Sequence, residues 1–401
     1  MSQGNQEIIK LFFDEREETL GIINSGGDLL KYMTGNKTFC PLVGTKIILA
    51  KVLGTGAYGK VFEIDFPGRG KKKYAVKKSE VYEIEPCSKK SYYKRLDGNG
   101  NTEIPKGSSI CEMAYSEYAI SLLLGELVRG GTCINFMDVF AFSMCKNPFS
   151  LSQYTFMEQI DGSLRHKIGC IMEKPRGDKS LGKITLADRH KLTNSIFIQT
   201  LFALAVIDRK YQIVHGDLHD DNIFLVHDPD LEWKGERIGN YDYYEYRIDG
   251  VSIYIPGVPL IVKLGDFGLA VKYSAPMIGN ITTMEIGFDQ DDGDGPWLPN
   301  FYTPAYDTTF VTYIFRERNP SNEFIKQIAA WVCNLKSRYS NAKLDDEMNG
   351  LFAKTGRPDI KKLEKSMKHV SPGAILLEPE LMRQYLTPPP KGSKILLIGE
   401  L

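Results

Sequence analysis

The chain has 401 residues, 42 % of them apolar and 11 % aromatic, enough for a sizeable core in two or three average domains or one bilobal enzyme with insertions. Fifty basic residues balance fifty acidic ones, so no global field draws the chain to nucleic acid or an anionic membrane, and neither is expected as a partner. Seven scattered cysteines without C-x-x-C spacing point away from a disulfide framework or zinc site; with no leader pattern and no bilayer-length apolar run, a cytoplasmic location is expected.

Residues 6–33 read as one or two short amphipathic helices, broken at Ser25-Gly26-Gly27, within an N-terminal helical extension over 1–45. From Lys46 the texture becomes strand-like. Ile47, Leu49, Lys51 and Leu53, then Val61, Phe62 and Ile64, flank a glycine-rich turn, and Tyr74-Ala75-Val76 follows the Pro67-Gly68-Arg69-Gly70 turn. Three antiparallel strands are expected there. Residues 79–111 are polar, contain Gly98-Asn99-Gly100-Asn101 and predict a loop insertion. Met113, Ser116, Ile120, Leu123, Leu124 and Leu127 predict a helix over about 112–128, and 134–142 and 153–159 predict two more strands. Ile196, Thr200, Ala203, Leu204 and Ile207 form one face of an amphipathic helix from Asp188 to Lys210. A strand-rich part thus precedes a helix-rich part, with the boundary near Glu158–Gly162.

Gly54-Thr55-Gly56-Ala57-Tyr58-Gly59 suits close approach of backbone to phosphate oxygens. Because Lys60 to Ile64 alternates like a strand, a lid between two strands is expected rather than the strand-to-helix turn of a dinucleotide fold. Lys77 ends the next apolar strand, placed to reach phosphates beneath that lid; Glu117 on the following helix is the carboxylate expected to hold it, with Glu112 the alternative. In His215-Gly216-Asp217-Leu218-His219-Asp220-Asp221-Asn222 a polar turn lies between apolar strands. Asp217 can accept a hydroxyl proton, and the Asn222 amide oxygen can ligate magnesium. Downstream of another apolar strand, Asp266-Phe267-Gly268 supplies a second carboxylate for the metal.

These elements, in this order and spacing, resemble the eukaryotic-type protein kinase superfamily over about residues 46–335. The resemblance implies an α+β, bilobal fold, with a small antiparallel-sheet N-lobe (46–160, insertion 79–111) and a helical C-lobe (161–335, insertion 227–258), followed by an extension over 336–401. It implies ATP and Mg2+ in the cleft and protein substrates phosphorylated on Ser or Thr. Asp217, Lys77, Glu117 and His219 would be the catalytic residues, and Asn222 and Asp266 the metal ligands. Leu53, Val61, Ala75 and Phe224 would enclose the adenine beneath Gly54, Gly56 and Gly59, with Met157 as gatekeeper and Glu158 to Ile160 as the hinge.

Several positions depart from the family pattern. Gly216 replaces an arginine that pairs with a phosphorylated activation loop, implying activity without that switch. His219 replaces a γ-phosphate lysine and, with a free pKa near ~6.5, would be only partly charged at neutral pH. The H-G-D-L-H-x-x-N form also resembles aminoglycoside-type phosphotransferases, the alternative reading; a pseudokinase scaffold is the third. Between Asn222 and Asp266 lies a tyrosine-rich insertion whose alternation predicts a hairpin turning at Asp249-Gly250. No A-P-E triplet follows; instead Asp307 opens an apolar helix, as a brace for the catalytic loop or as an N-cap. The short helical part, the missing triplet and the insertion resemble serine/threonine kinases of large nucleocytoplasmic DNA viruses. Residues 340–401 carry no legible chemistry.

Overall fold

The computed structural model describes residues 49–56, 59–64, 74–87, 90–95, 110–146, 151–160, 162–165, 185–258, 260–272, 304–335, 339–352, 358–359, 362–363 and 370–401. The expected helices of 6–33, the turn at 67–70 and the acidic stretch 289–294 lie outside these residues.

β1 (Leu49–Gly56), β2 (Gly59–Ile64) and β3 (Tyr74–Cys87) pair antiparallel in succession, as their alternation predicts. Tyr74, Ala75 and Val76 are all buried, which suits the centre of a sheet. β3 does not stop where the apolar residues do. It runs to Cys87 and returns as β4 (Lys90–Arg95), so half of the expected loop insertion is a hairpin. Backbone pairing there continues a ladder already set by β3, which polar side chains do not oppose.

α1 (Ile110–Arg129) buries Leu122, Leu123, Leu124 and Leu127. Gly131 takes a left-handed φ of 70° just past its end, and Gly130 and Thr132 donate to Glu126 O (2.8 Å) and Leu127 O (2.8 Å), closing the helix. β5 (Val139–Lys146) begins five residues later than the expected strand at 134, because 134–138 is tied to other elements instead. β6 (Leu151–Glu158) fits between β3 and β5, giving the order β1-β2-β3-β6-β5 with β4 off β3. β7 (Gly162–Ser163) leads away from this sheet.

α2 (Leu186–Tyr211) is capped by Thr185, whose side chain accepts from Asp188 N (3.1 Å), and ends where Gln212 turns left-handed at φ 52°. The expected single apolar face is too narrow: every residue from Thr193 to Ile207 is buried. α2 is long and apolar enough to cross a membrane, but most of it lies inside the fold, surrounded by other elements.

β8 (Ile213–Val214) and β9 (Ile223–His227) flank the polar turn, and β10 (Glu232–Trp233) and β11 (Glu236–Arg237) form a small ribbon. The expected hairpin is β12 (Tyr243–Ile248) with β13 (Val251–Pro256), turning through left-handed Asp249 (φ 50°) and Gly250 (φ 77°). Tyr244 and Tyr246 are fully buried, so these two tyrosines pack rather than face a partner. β14 (Leu260–Leu264) pairs with β9, itself beside β7, while β15 (Val271–Lys272) pairs with β8.

α3 (Ala305–Arg318), α4 (Glu323–Val332), α5 (Asn341–Gly350), α6 (Pro372–Leu377) and α7 (Pro379–Leu386) follow. The caps of α4, α5 and α6 are legible in the sequence: Asn322, Ser340 and Ser371 accept from Ile325, Lys343 and Ala374 amides. β16 (Ile395–Glu400) joins β12 in parallel, so the segment without legible chemistry completes the sheet of the tyrosine-rich insertion. The fold is of mixed α and β content with mainly antiparallel sheets and seven α-helices among the described residues, compatible with the α+β class.

Candidate active site

Strand register places Lys77 between Val61 of β2 and Thr155 of β6, with neighbouring Val76 buried in the core. Its Nζ lies 2.7 Å from Glu117 Oε1 and 3.0 Å from Asp266 Oδ1. Glu117, buried on α1, is therefore the carboxylate that holds Lys77. The two acids neutralise a desolvated ammonium and aim it at the same point.

Asp266 follows β14 in a left-handed conformation, φ 59° and ψ 61°, unusual for a residue with a side chain. Phe267 is buried with its ring 4.6 Å from that of His215, whose Nε2 lies 3.0 Å from Gly265 O. A Cβ at Gly265 would come within 2.6 Å of Met137 Cε, the flexible end of its side chain, and 3.1 Å of Phe224 Cε2, so a side chain there would require both neighbours to shift.

The loop from His215 to Asn222 is held from below by α3. Asp307 is buried, and its carboxylate accepts from His215 N (2.6 Å) and Gly216 N (3.0 Å). Burial pushes its carboxyl above the ordinary value, against the pull of His215 and the two amide bonds. Pro304, not Asp307, sits at the cap position of α3. Asp307 is thus a brace, and the cap alternative is set aside.

Gly216 has φ 77° and is buried. Gly216→Ala should therefore lower the unfolding free energy by about 1–2 kcal/mol in urea titration, from left-handed strain alone.

Within the loop, Asn222 Nδ2 donates to Asp217 O (2.8 Å) and His219 N donates to the same carbonyl (2.9 Å). His219 Nε2 lies 3.5 Å from Asp217 Oδ2. Burial works against a charged His219, but its hydrogen bond to Asp217 and the charges of Asp217, Asp221 and Asp220 outweigh that and raise its pKa. The balance favours the cationic form more than in the free side chain, which is compatible with a partly charged His219. Asp220 forms a buried ion pair with Arg318, and Asp221 accepts from Arg165 Nη1 (2.6 Å) and Ser163 Oγ (3.2 Å). Possible ligand atoms of His219, Asp220 and Asp221 lie within 4.8 Å of one another, but these ion pairs give both acids structural work.

No protein-family model matches the chain, and no curated protein does.

Among the remaining expected residues, register puts Val61, Ala75 and Met157 on the same face of the sheet as Lys77. Ala75 and Met157 pair across β3 and β6 and are buried, Val61 is partly buried, and Phe224 lies on β9 beside Gly265. Leu53 on β1 is exposed, at 38 %. Gly59 meets a packing need, since a Cβ there would lie 2.3 Å from Lys78 O; Gly54 faces open space, and Gly56 pairs with Gly59. Glu158 is anchored by both its amide and its side chain. Its amide donates to Asp138 O (3.0 Å), and its carboxylate accepts from Lys263 Nζ (2.8 Å) and Asp138 N (2.8 Å). Sequence reasoning missed the Lys263–Glu158 and Arg318–Asp220 pairs, whose partners lie 105 and 98 residues apart with no local signal.

Proposed function

We propose that this chain is an ATP- and Mg2+-dependent kinase of protein Ser/Thr hydroxyls, built as a bilobal, kinase-like fold and acting in a cytoplasm. The observation that carries the reading is the meeting of Lys77, Glu117 and Asp266 from three separate elements, beside an Asp217 loop braced by Asp307. The strand order β1-β2-β3-β6-β5, with α1 packed beside it and six of the seven described α-helices in the later chain, supports the same reading.

Lys77 offers a positive charge to phosphate oxygens, and Glu117 keeps it oriented. Asp217 accepts the hydroxyl proton as the acceptor oxygen forms its bond to the terminal phosphorus. The bond from that phosphorus to ADP breaks, and its electron pair leaves with ADP. Asn222 and Asp266 suit a hard cation: Asn222 directs its NH2 to Asp217 O, so its oxygen is the ligating atom, and Asp266 adds a carboxylate. Magnesium, when bound, would neutralise charge on the phosphates. His219 beside Asp217 is the observation that favours a second acceptor class, the small-molecule phosphotransferases.

Purified chain with γ-labelled ATP and Mg2+, offered casein, a basic protein and an aminoglycoside, tests this. Label should appear on protein Ser or Thr, and Lys77→Met should lower kcat/KM about 100-fold or more. Label confined to the aminoglycoside selects the second reading, and no label on any acceptor overturns both.

A further inference from the structure

β16 is remote in sequence from the phosphate site yet grips the segment that follows α1. On one edge it pairs with β12. On the other, Ile134 N donates to Ile398 O (3.3 Å) and Glu400 N donates to Thr132 O (2.9 Å). α1, which carries Glu117, ends just before these residues.

Asn135 comes next and is fully buried. Its Nδ2 donates to Gln199 Oε1 of α2 (3.1 Å) and to Val262 O of β14 (2.9 Å), while its Oδ1 accepts from Tyr246 OH of β12 (2.8 Å). The backbone continues the tie: Leu264 N donates to Asn135 O (2.9 Å), and Met137 N to Leu264 O (3.0 Å). Leu264 stands two residues before Asp266. A single segment, 132–137, thus joins the end of α1 to the strand that delivers Asp266, and it rests on β16 and Tyr246.

Gly399 permits the close seat of β16. A Cβ there would lie 2.5 Å from Phe202 Cε1 and 2.7 Å from Tyr246 Cδ1, whose rings are 4.5 Å apart. A side chain at 399 would therefore push against both rings and displace β16 from this seat.

We propose that β16 and Tyr246 act as a built-in positioning clamp, holding α1 and β14 in register so that Glu117 and Asp266 meet at Lys77. Tyr246 and Asn135 are positioning residues acting through those side chains. The catalytic consequence rests on the kinase reading; the structural consequence does not. Because segment 132–137 is hydrogen-bonded to β16, α2, β12 and β14, loosening it would shift the groups that α1 and β14 carry.

The test uses full-length Gly399→Val and the milder Tyr246→Phe, each measured for kcat, ATP KM and backbone hydrogen exchange. For Gly399→Val, kcat should fall about 10- to 100-fold, as expected of a small displacement of reacting groups. ATP KM should stay within about threefold, marking a loss specific to the transition state. Tyr246→Phe should move kcat in the same direction by about tenfold. Exchange should quicken over 110–129 and 260–272 in both variants, with α4 and α5 unchanged. A uniform rise across all helices, or unchanged exchange in α1 in a folded Tyr246→Phe, overturns the clamp. A wild type that transfers no phosphate overturns the kinase reading, while the exchange pattern still decides the clamp.

Discussion

Asp217→Asn should lower phosphoryl transfer about 10²- to 10⁴-fold while leaving thermal unfolding close to that of the wild type. The backbone of the loop is held at other points as well as at that carboxylate. Asn222 and the His219 amide bond the Asp217 carbonyl, and Asp307 holds the two amides before it. What asparagine loses is an acceptor for the hydroxyl proton. The affinity for ATP should change little, since Lys77, Glu117 and Asp266 form a separate cluster. The same variant should lower the pKa of His219, because the hydrogen bond and charge of Asp217 help to raise it. A pH titration of the His219 imidazole by NMR checks the sign, and transfer assays check the rate. Activity near wild type would remove Asp217 from the mechanism.

Arg318→Met should destabilise the fold by about 3–5 kcal/mol, because it leaves Asp220 charged, buried and unpaired. Side-chain exposures of 5 % for Arg318 and 7 % for Asp220 leave water little room to compensate. Arg318 stands in the last turn of α3, where a cation also offsets the helix dipole. Asp220→Asn combined with Arg318→Met should recover part of the loss, since the double variant no longer buries a lone charge. Urea titrations of the two single variants and the double form the cycle. If Arg318→Met costs under about 1 kcal/mol, the pair behaves as an exposed surface bridge and this account of the loop fails.

Much of the local structure was legible. Alternation at Val61 to Ile64 and the apolar stretch at Tyr74 to Val76 mark strands, and Asp249-Gly250 marks a hairpin turn. Helix spacing placed α1 and α2 within two residues of their observed ends. The β3–β4 hairpin was not legible, because a ladder extended by backbone bonds needs no apolar pattern.

By itself, the sequence determined the order and spacing of Gly54 to Gly59, Lys77, Asp217, Asn222 and Asp266, the residue types that the proposed phosphate and proton chemistry would require. Only the tertiary structure decided which glutamate meets Lys77, and whether Asp307 caps its helix or braces the loop. Only the tertiary structure, too, revealed that Lys263 reaches Glu158 and that β16 seats beside Tyr246. The physical reason is the same in each case. Local periodicity reports which face of an element is buried, whereas the partner across that face is set by the packing of segments 40 or more residues away.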